Sequence, residues 1–146
     1  MIVEQLLPAA RARLVTVSTD VPVTRLASLL SGEHDLVVVC EPSGAMAGVV
    51  SKTDLVRLLK ECHVDVCGQR ASVAMTTKVT YCRPGDPLRE VWSLMTERGF
   101  RHVPVIDGEA RPVGVLNARD ALQALLAHAT DEAALLRDYV MGVGYR

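Results

Sequence analysis

The stretch Gly48-Val-Val-Ser-Lys-Thr-Asp-Leu-Val-Arg-Leu-Leu59 returns 66 residues further along the chain as Gly114-Val-Leu-Asn-Ala-Arg-Asp-Ala-Leu-Gln-Ala-Leu125. The upstream segments also correspond, with small insertions and deletions, and Val37-Val-Val39 matches Val103-Pro-Val105. A period this long with only two copies indicates a duplicated unit rather than a solenoid. One structural pattern is therefore expected to occur twice.

Each copy is predicted to contain a strand, a helix, two strands and a helix. The first strand is expected near 14–17 in one copy and near 79–82 in the other. Two β-rich runs separated by turn residues then predict a hairpin. The closing helices are expected over about 52–61 and 118–128, from the spacing of their apolar residues.

Helices are also predicted outside the two copies. Residues 2–12 form an N-terminal helix in this interpretation, and Asp131 is the predicted N-cap of a separate final helix. The apolar residues of that final helix either pack on the rest of the chain or dock a partner; packing on the chain is the simpler arrangement. These residues are Leu135, Leu136, Tyr139 and Val140.

The predicted fold class is α+β, with two pseudo-symmetric β-α-β-β-α motifs packed face to face. Each motif of about 60 residues is too small to bury much apolar surface alone, so the two must share an interface. The predicted units are an N-terminal helix (1–13), a first motif (14–66), a second motif (67–129), and a C-terminal helix and tail (130–146).

The composition argues against several functional classes. Sixteen Lys and Arg balance seventeen Asp and Glu, which gives a net charge of -1 and no general attraction to nucleic acid. No apolar run approaches the roughly 18 residues of a membrane span, and the N-terminus lacks a secretory signal pattern. We therefore expect a cytoplasmic protein with reduced cysteines and with neither nucleic acid nor membrane as a partner.

The repeated blocks resemble a known family. The second copy contains Arg101-His-Val-Pro-Val-Ile-Asp107 and then Val113-Gly-Val-Leu-Asn-Ala-Arg-Asp120. The first contains Leu36-Val-Val-Val-Cys-Glu41 and then Ala47-Gly-Val-Val-Ser-Lys-Thr-Asp54. These blocks resemble CBS domains (cystathionine β-synthase motifs), and the linker Val73-Ala-Met-Thr76 is similar to the segment that commonly opens a second copy. A tandem CBS pair is called a Bateman module, and the resemblance covers nearly the whole chain.

The resemblance implies two clefts between the copies that bind adenosine-containing ligands such as AMP, ADP, ATP or S-adenosylmethionine. In the family's motif an Asp accepts hydrogen bonds from the ribose hydroxyls, and a small polar residue three positions earlier helps to hold phosphate. The matching residues are Ser51 with Asp54, and Asn117 with Asp120. The opening strand of the other copy often completes each site in the family.

That completion implies Lys78 and Thr80 near the first motif Asp, and Thr16 near the second. Arg101 and His102 are further candidates, because basic residues at these family positions commonly reach phosphates and a guanidinium suits phosphate oxygens. The first copy has an acidic and an apolar residue at the corresponding positions, so the two clefts are expected to differ in affinity or ligand. Alternatively, the histidine packs on the strand face and the arginine is solvated.

Both motifs lie where a strand turns into a helix, so backbone N–H groups and the helix dipole favour a phosphate there. The intermediate residues Thr53 and Arg119 are also candidates for the clefts. Helix capping explains the same pattern without a ligand, because Ser51 and Asn117 are good N-caps and an Asp three residues later imitates a capping box.

The sequence thus predicts a regulatory module rather than an enzyme, with an adenine nucleotide as regulatory ligand and no other cofactor or metal. We expect a homodimer that signals occupancy to a regulated protein. Two alternatives remain open. One is a ligandless dimerisation or interaction module, and the other is a thiol or metal sensor that uses Cys62, His63 and Cys67.

Overall fold

The computed structural model describes residues 1–61 and 68–144, with side chains through residue 137. The helical elements are a 3-10 helix at Val3–Leu6, then α1 (Leu7–Arg13), α2 (Val23–Leu30), α3 (Lys52–Glu61), α4 (Ala71–Ala74), α5 (Leu88–Arg98) and α6 (Ala118–Gly144). The strands are β1 (Thr16–Ser18), β2 (Leu36–Cys40), β3 (Met46–Ser51), β4 (His102–Ile106) and β5 (Pro112–Asn117). The predicted α+β pair of repeated motifs is confirmed.

Each half contains the expected antiparallel hairpin. In the first half β2 pairs with β3 and Val38 lies opposite Val49, while in the second half β4 pairs with β5 and Pro104 lies opposite Val115. Strand β1 adds to the first hairpin in parallel with β2. The sheets consequently have three strands in one half and two in the other.

The strand predicted over 79–82 is reduced to one bridge between Cys82 and Val105. The cause is a single residue. In the first half the Val38 N–H donates to the carbonyl of Val15 at 2.9 Å, but the equivalent residue in the second half is Pro104. Proline has no N–H, so the ladder cannot extend back along the chain there.

The two halves exchange short segments. Val3 and Leu6 from the N-terminus lie in the hydrophobic core of the second half. Ala71 and Ala74 from α4 lie in the core of the first half. The N-terminal segment therefore completes the second half, and the segment between the repeats completes the first. The unit boundaries given above remain a prediction.

Two glycines allow these exchanged segments to lie directly on the hairpins. A Cβ atom on Gly114 of β5 would lie 2.7 Å from the Cβ of Ala10 in α1. A Cβ atom on Gly48 of β3 would lie 2.6 Å from the carbonyl oxygen of Thr76, and two backbone hydrogen bonds of 2.8 and 3.0 Å join Thr76 to Val49. Helix α1 is thereby fixed against the second motif, and the chain that follows α4 is fixed against the first.

Helix α6 runs without interruption from Ala118 to Gly144, so the predicted break at Asp131 is wrong. The sequence around that residue contains neither Gly nor Pro, so the helix has no residue there that would end it. Leu135 and Leu136 are 70% and 66% exposed, which contradicts their expected packing on the rest of the chain, and the side chains of Tyr139 and Val140 lie outside the described residues. Within the described residues, no helix has both the length and the apolar character required to cross a membrane.

We expect Gly114→Ala to lower the free energy of unfolding by about 1–3 kcal/mol, the usual cost of overpacking. The added methyl would meet Ala10, whose nearby atoms include backbone that cannot move independently of α1. Gly85→Ala is the matched control, because a Cβ there would meet nothing within 4 Å. Urea unfolding of both variants measures the difference, and equal stability of the two would contradict the tight helix–strand contact.

Candidate functional site

A cleft of about 680 Å³ lies between the two halves. Its walls come from the junction of β3 with α3, from the segment that follows α4, and from the start of β4. Seven of the eleven residues predicted for ligand binding line it: Ser51, Thr53, Asp54, Lys78, Thr80, Arg101 and His102. We call this the first cleft.

Asp54 is the best-anchored polar side chain of the first cleft and is only 7% exposed. Its Oδ2 accepts hydrogen bonds from the backbone N–H of Ser51 at 2.8 Å and from the Ser51 hydroxyl at 3.0 Å. Its Oδ1 accepts from Thr76 Oγ1 at 2.9 Å and from Arg57 Nη1 at 3.1 Å. Four donors thus satisfy the carboxylate and hold it in one orientation.

Thr76 and Arg57 are functional candidates that the sequence prediction missed. Thr76 belongs to the linker segment that resembled the opening of a second repeat, and the pairing of its backbone with β3 places its hydroxyl on Asp54. Arg57 follows Asp54 by three residues on α3, a spacing that brings side chains together on one helix face. The i,i+3 spacing was visible in the sequence, but the pairing of Thr76 with β3 was not.

Positive charge dominates the first cleft. Its lining includes Lys52, Arg57, Lys78 and Arg101, against the two carboxylates of Asp35 and Asp54. Asp35 lies 3.3 Å from the ammonium of Lys52. The first backbone N–H groups of α3 add partial positive charge at the same place. The first cleft is therefore suited to bind an anionic ligand that is larger than a carboxylate group.

The second motif is arranged differently, because an arginine from the N-terminal helix occupies its aspartate. Arg13 Nε lies 2.8 Å from Asp120 Oδ2, and Arg13 Nη2 lies 3.3 Å from Oδ1. Asn117 Oδ1 caps α6 by accepting the backbone N–H groups of Arg119 at 2.8 Å and Asp120 at 3.1 Å. The amide nitrogen of Asn117 lies 3.0 Å from His102 Nε2.

The cavity beside this second motif is small, about 230 Å³, and we call it the second cleft. Arg13, Glu33, His34 and Asp35 contribute its charged and titratable lining together with His102. Four predicted binding residues fall outside the lining of both clefts: Thr16, Asn117, Arg119 and Asp120. The contact that the structure shows at the Asp120 carboxylate is Arg13 rather than the expected Thr16.

His102 lies in the wall between the two clefts and lines both. Burial lowers the pKa of His102 below its ordinary value, and the nearby carboxylate of Asp35, 3.8 Å away, opposes that shift. A neutral ring can accept from the Asn117 amide, whereas protonation would place N–H groups against each other. His102 is therefore neutral in the folded state.

The proposed sensor residues Cys62, His63 and Cys67 lie outside the described residues. Within 1–61 and 68–144 no group of three His, Cys, Asp or Glu side chains is placed to hold a metal ion. Burial, and secondarily the charge of Asp86, raises the pKa of the Cys82 thiol to about 12, so this buried thiol remains protonated and unreactive.

We expect the protein to lose stability as the pH falls from about 7.5 to about 5.5, partly through His102. The folded pKa of this residue is depressed, so the unfolded chain binds the proton first, and the stabilisation is present above the ordinary histidine pKa of about 6.5 and lost below it. His102→Gln should flatten the decline, as measured by urea unfolding at each pH. His128→Gln, on the exposed part of α6, is the control; an equal effect of the two variants would contradict the assignment.

The similarity of this chain to known proteins also divides into two repeats. The CBS domain family model matches residues 3–61 and 71–127. The magnesium transporter MgtE of Thermus thermophilus is 35% identical over 98 residues, or 66% of this chain, and the chain spans only 20% of that transporter.

Two solved structures extend the comparison. A CBS-domain containing protein from Agrobacterium tumefaciens superposes with a TM-score of 0.71 at 30% identity, over 85% of this chain and 98% of that one. The cytosolic domain of the Mg²⁺ channel MgtE in complex with ATP gives a TM-score of 0.64 at 27% identity, over 77% of this chain and 45% of that one. The tandem motifs, the shared cleft and these matches lead to one conclusion: the chain belongs to the CBS-domain family and contains two CBS domains.

Proposed function

We propose that this protein is a regulatory module that binds a phosphorylated adenosine nucleotide, such as ATP, in the first cleft. One observation carries the proposal: four cationic side chains and a helix N-terminus surround a buried, fully oriented aspartate in a cleft of about 680 Å³. That volume lies in the usual range of small-molecule sites, about 300–1,000 Å³.

The charges favour phosphorylated ligands over the other adenosine compounds considered. AMP, ADP and ATP carry increasing negative charge, which Lys52, Lys78 and Arg101 attract. S-adenosylmethionine carries a sulfonium and an ammonium against one carboxylate, so the same side chains repel it. The apolar part of the lining, which includes Val49, Val79 and Phe100, offers a surface for the adenine base.

Asp54 is proposed to hold the ribose, as in the family's motif. Because its four acceptor positions are already used, a ribose hydroxyl must displace one donor. Arg57 is the donor most easily displaced, since its side chain is 55% exposed and makes a single contact. Once released, its guanidinium remains in the cleft and is available to phosphate.

The ATP complex of the related MgtE cytosolic domain supports this choice of ligand. The geometry of the first cleft supports a regulatory role. The first cleft is formed by both halves, so a nucleotide bound there favours one arrangement of the pair over others, and a partner protein can respond to that difference. Adenine nucleotides are abundant in the cytoplasm, where we propose that the module works.

A ligandless interaction module is the second candidate function. It is favoured by the complete satisfaction of Asp54, because Ser51 and Asp54 together cap α3 without any ligand. In that case the motif residues stabilise the fold and the partner binds elsewhere. The two functions differ in whether nucleotide binds at all.

We expect calorimetric titration to show saturable binding of ATP that is tighter than that of S-adenosylmethionine and that weakens as salt is raised. Asp54→Asn should weaken ATP binding about tenfold or more, because it removes a charged acceptor for the ribose. Lys78→Ala should weaken binding of ATP but not of adenosine, since its ammonium serves only the phosphates.

Lys60→Ala is the matched control for Lys78, because Lys60 is exposed at the end of α3 and outside the lining of the first cleft. Thermal unfolding of each variant verifies that it folds. If the wild-type protein, freed of bound nucleotide, binds none of the adenosine compounds, the nucleotide proposal is wrong and the ligandless module replaces it.

We also propose that the protein forms a homodimer through the exposed faces of α3 and α6. Val56 and Leu59 on α3 are 64% and 63% exposed, and Leu122 and Leu126 on α6 are 38% and 58% exposed. Val56 and Leu122 occupy equivalent positions of the repeat, whereas the residue equivalent to Leu126 is Lys60, so the pseudo-symmetry of the fold relates only part of the apolar patch. Burial of such a patch favours self-association.

The double substitution Val56→Glu with Leu122→Glu should convert the dimer to a monomer, because four like charges would face each other across the interface. Sedimentation velocity measures the mass of the assembly. Gln123→Glu, which adds a charge to a neighbouring exposed residue of α6, should leave the dimer intact. A wild-type monomer, or a double variant that still dimerises, would rule out this interface.

A further inference from the structure

The two motif aspartates are each held by an arginine, but in different ways. Arg57 touches one oxygen of Asp54 from the same helix, whereas Arg13 touches both oxygens of Asp120 from the N-terminal helix α1. A two-point guanidinium–carboxylate contact is stronger and more directional than a one-point contact. The Asp120 side chain is 23% exposed against 7% for Asp54, so a ribose that reached Asp120 would have to break this two-point contact.

Arg13 is also held in place by the packing of its helix. Ala10 is 2% exposed and packs directly on Gly114 of β5. The last residue of α1 is Arg13 itself, so its guanidinium starts from a fixed backbone position. Because the backbone is already ordered, the contact with Asp120 costs only the rotamer entropy of the Arg13 side chain.

The remaining surroundings of Asp120 do not suit a phosphate. Glu33 and Asp35 line the second cleft, and Asp120 lies beside it through its contact with Arg13. Among the residues that the structure describes, Arg13 is the only basic side chain in that lining apart from the histidines His34 and His102. Removal of Arg13 would leave a larger space and the carboxylates of Glu33, Asp35 and Asp120, of which Asp35 keeps its contact with Lys52 at 3.3 Å. The remaining negative charge attracts a cation and repels a nucleotide.

From this geometry we infer that the Arg13 side chain closes the second cleft by occupying Asp120. We also infer that the cleft, once Arg13 is removed, binds a positively charged adenosine compound rather than a nucleotide. The inference rests on the proposed function, because it assumes that the motif aspartates bind ribose. The module then takes one nucleotide per chain in the first cleft. The second cleft is kept closed by the chain itself.

Calorimetric titration of the full chain with S-adenosylmethionine tests the inference. Arg13→Ala should bind one equivalent, about tenfold or more tighter than the wild-type protein, because the competing ion pair is gone. The gain should disappear in Arg13→Ala combined with Asp120→Asn. Arg11→Ala, an exposed arginine on the same helix, is the control and should leave binding unchanged.

Arg13→Lys provides a second variant in case the alanine protein is unstable. A lysine keeps the positive charge but cannot make the two-point contact, so it should give a smaller gain. Thermal unfolding establishes that each variant is folded. A parallel titration with ATP, which reports on the first cleft, should give one equivalent for the wild-type protein and for every Arg13 variant.

The two titrations separate the two proposals. If ATP binds but Arg13→Ala gains no affinity for S-adenosylmethionine, the closure is wrong and the first-cleft proposal stands. If Arg13→Ala gains an Asp120-dependent site while ATP binds to neither protein, the closure stands and the first-cleft proposal fails. Tight Asp120-dependent binding to the wild-type protein would overturn the closure, and no binding of either compound would overturn both.

Discussion

The rest of the structure depends on two close backbone approaches, at Gly48 and at Gly114. Each allows a segment from elsewhere in the chain to lie against a hairpin at a distance that any Cβ atom would prevent. At Gly48 the segment is the linker that carries Thr76, and at Gly114 it is the N-terminal helix that ends at Arg13. These contacts bind the two halves together and deliver one side chain to each motif aspartate.

The side chains delivered in this way make the two clefts unequal. Thr76 adds a neutral hydroxyl to Asp54, so the first cleft keeps its cationic lining. The arginine that contacts the same carboxylate, Arg57, is exposed and makes a single hydrogen bond to it. Arg13 adds a full positive charge to Asp120 through two contacts. A duplicated pattern thus produces two different environments because the two exchanged segments place different side chains on the motif aspartates.

Local signals in the sequence predicted most elements well. The hairpins and α3 lie where turn residues and helical spacing placed them, and seven of the eleven predicted binding residues line one cleft. The errors have physical causes. Pro104 removes the N–H that would extend the second sheet, and the absence of Gly or Pro near Asp131 lets α6 continue through a residue that resembled an N-cap.

The duplication, the fold class and the capped aspartate of each motif can be predicted from the order of residues alone, because they depend on residues close together in the chain. Which side chains complete each aspartate depends instead on tertiary packing. The contacts from Thr76 to Asp54 and from Arg13 to Asp120 join residues 22 and 107 positions apart. Such pairs follow from the packing of whole segments on glycine-containing strands, which local residue preferences do not encode.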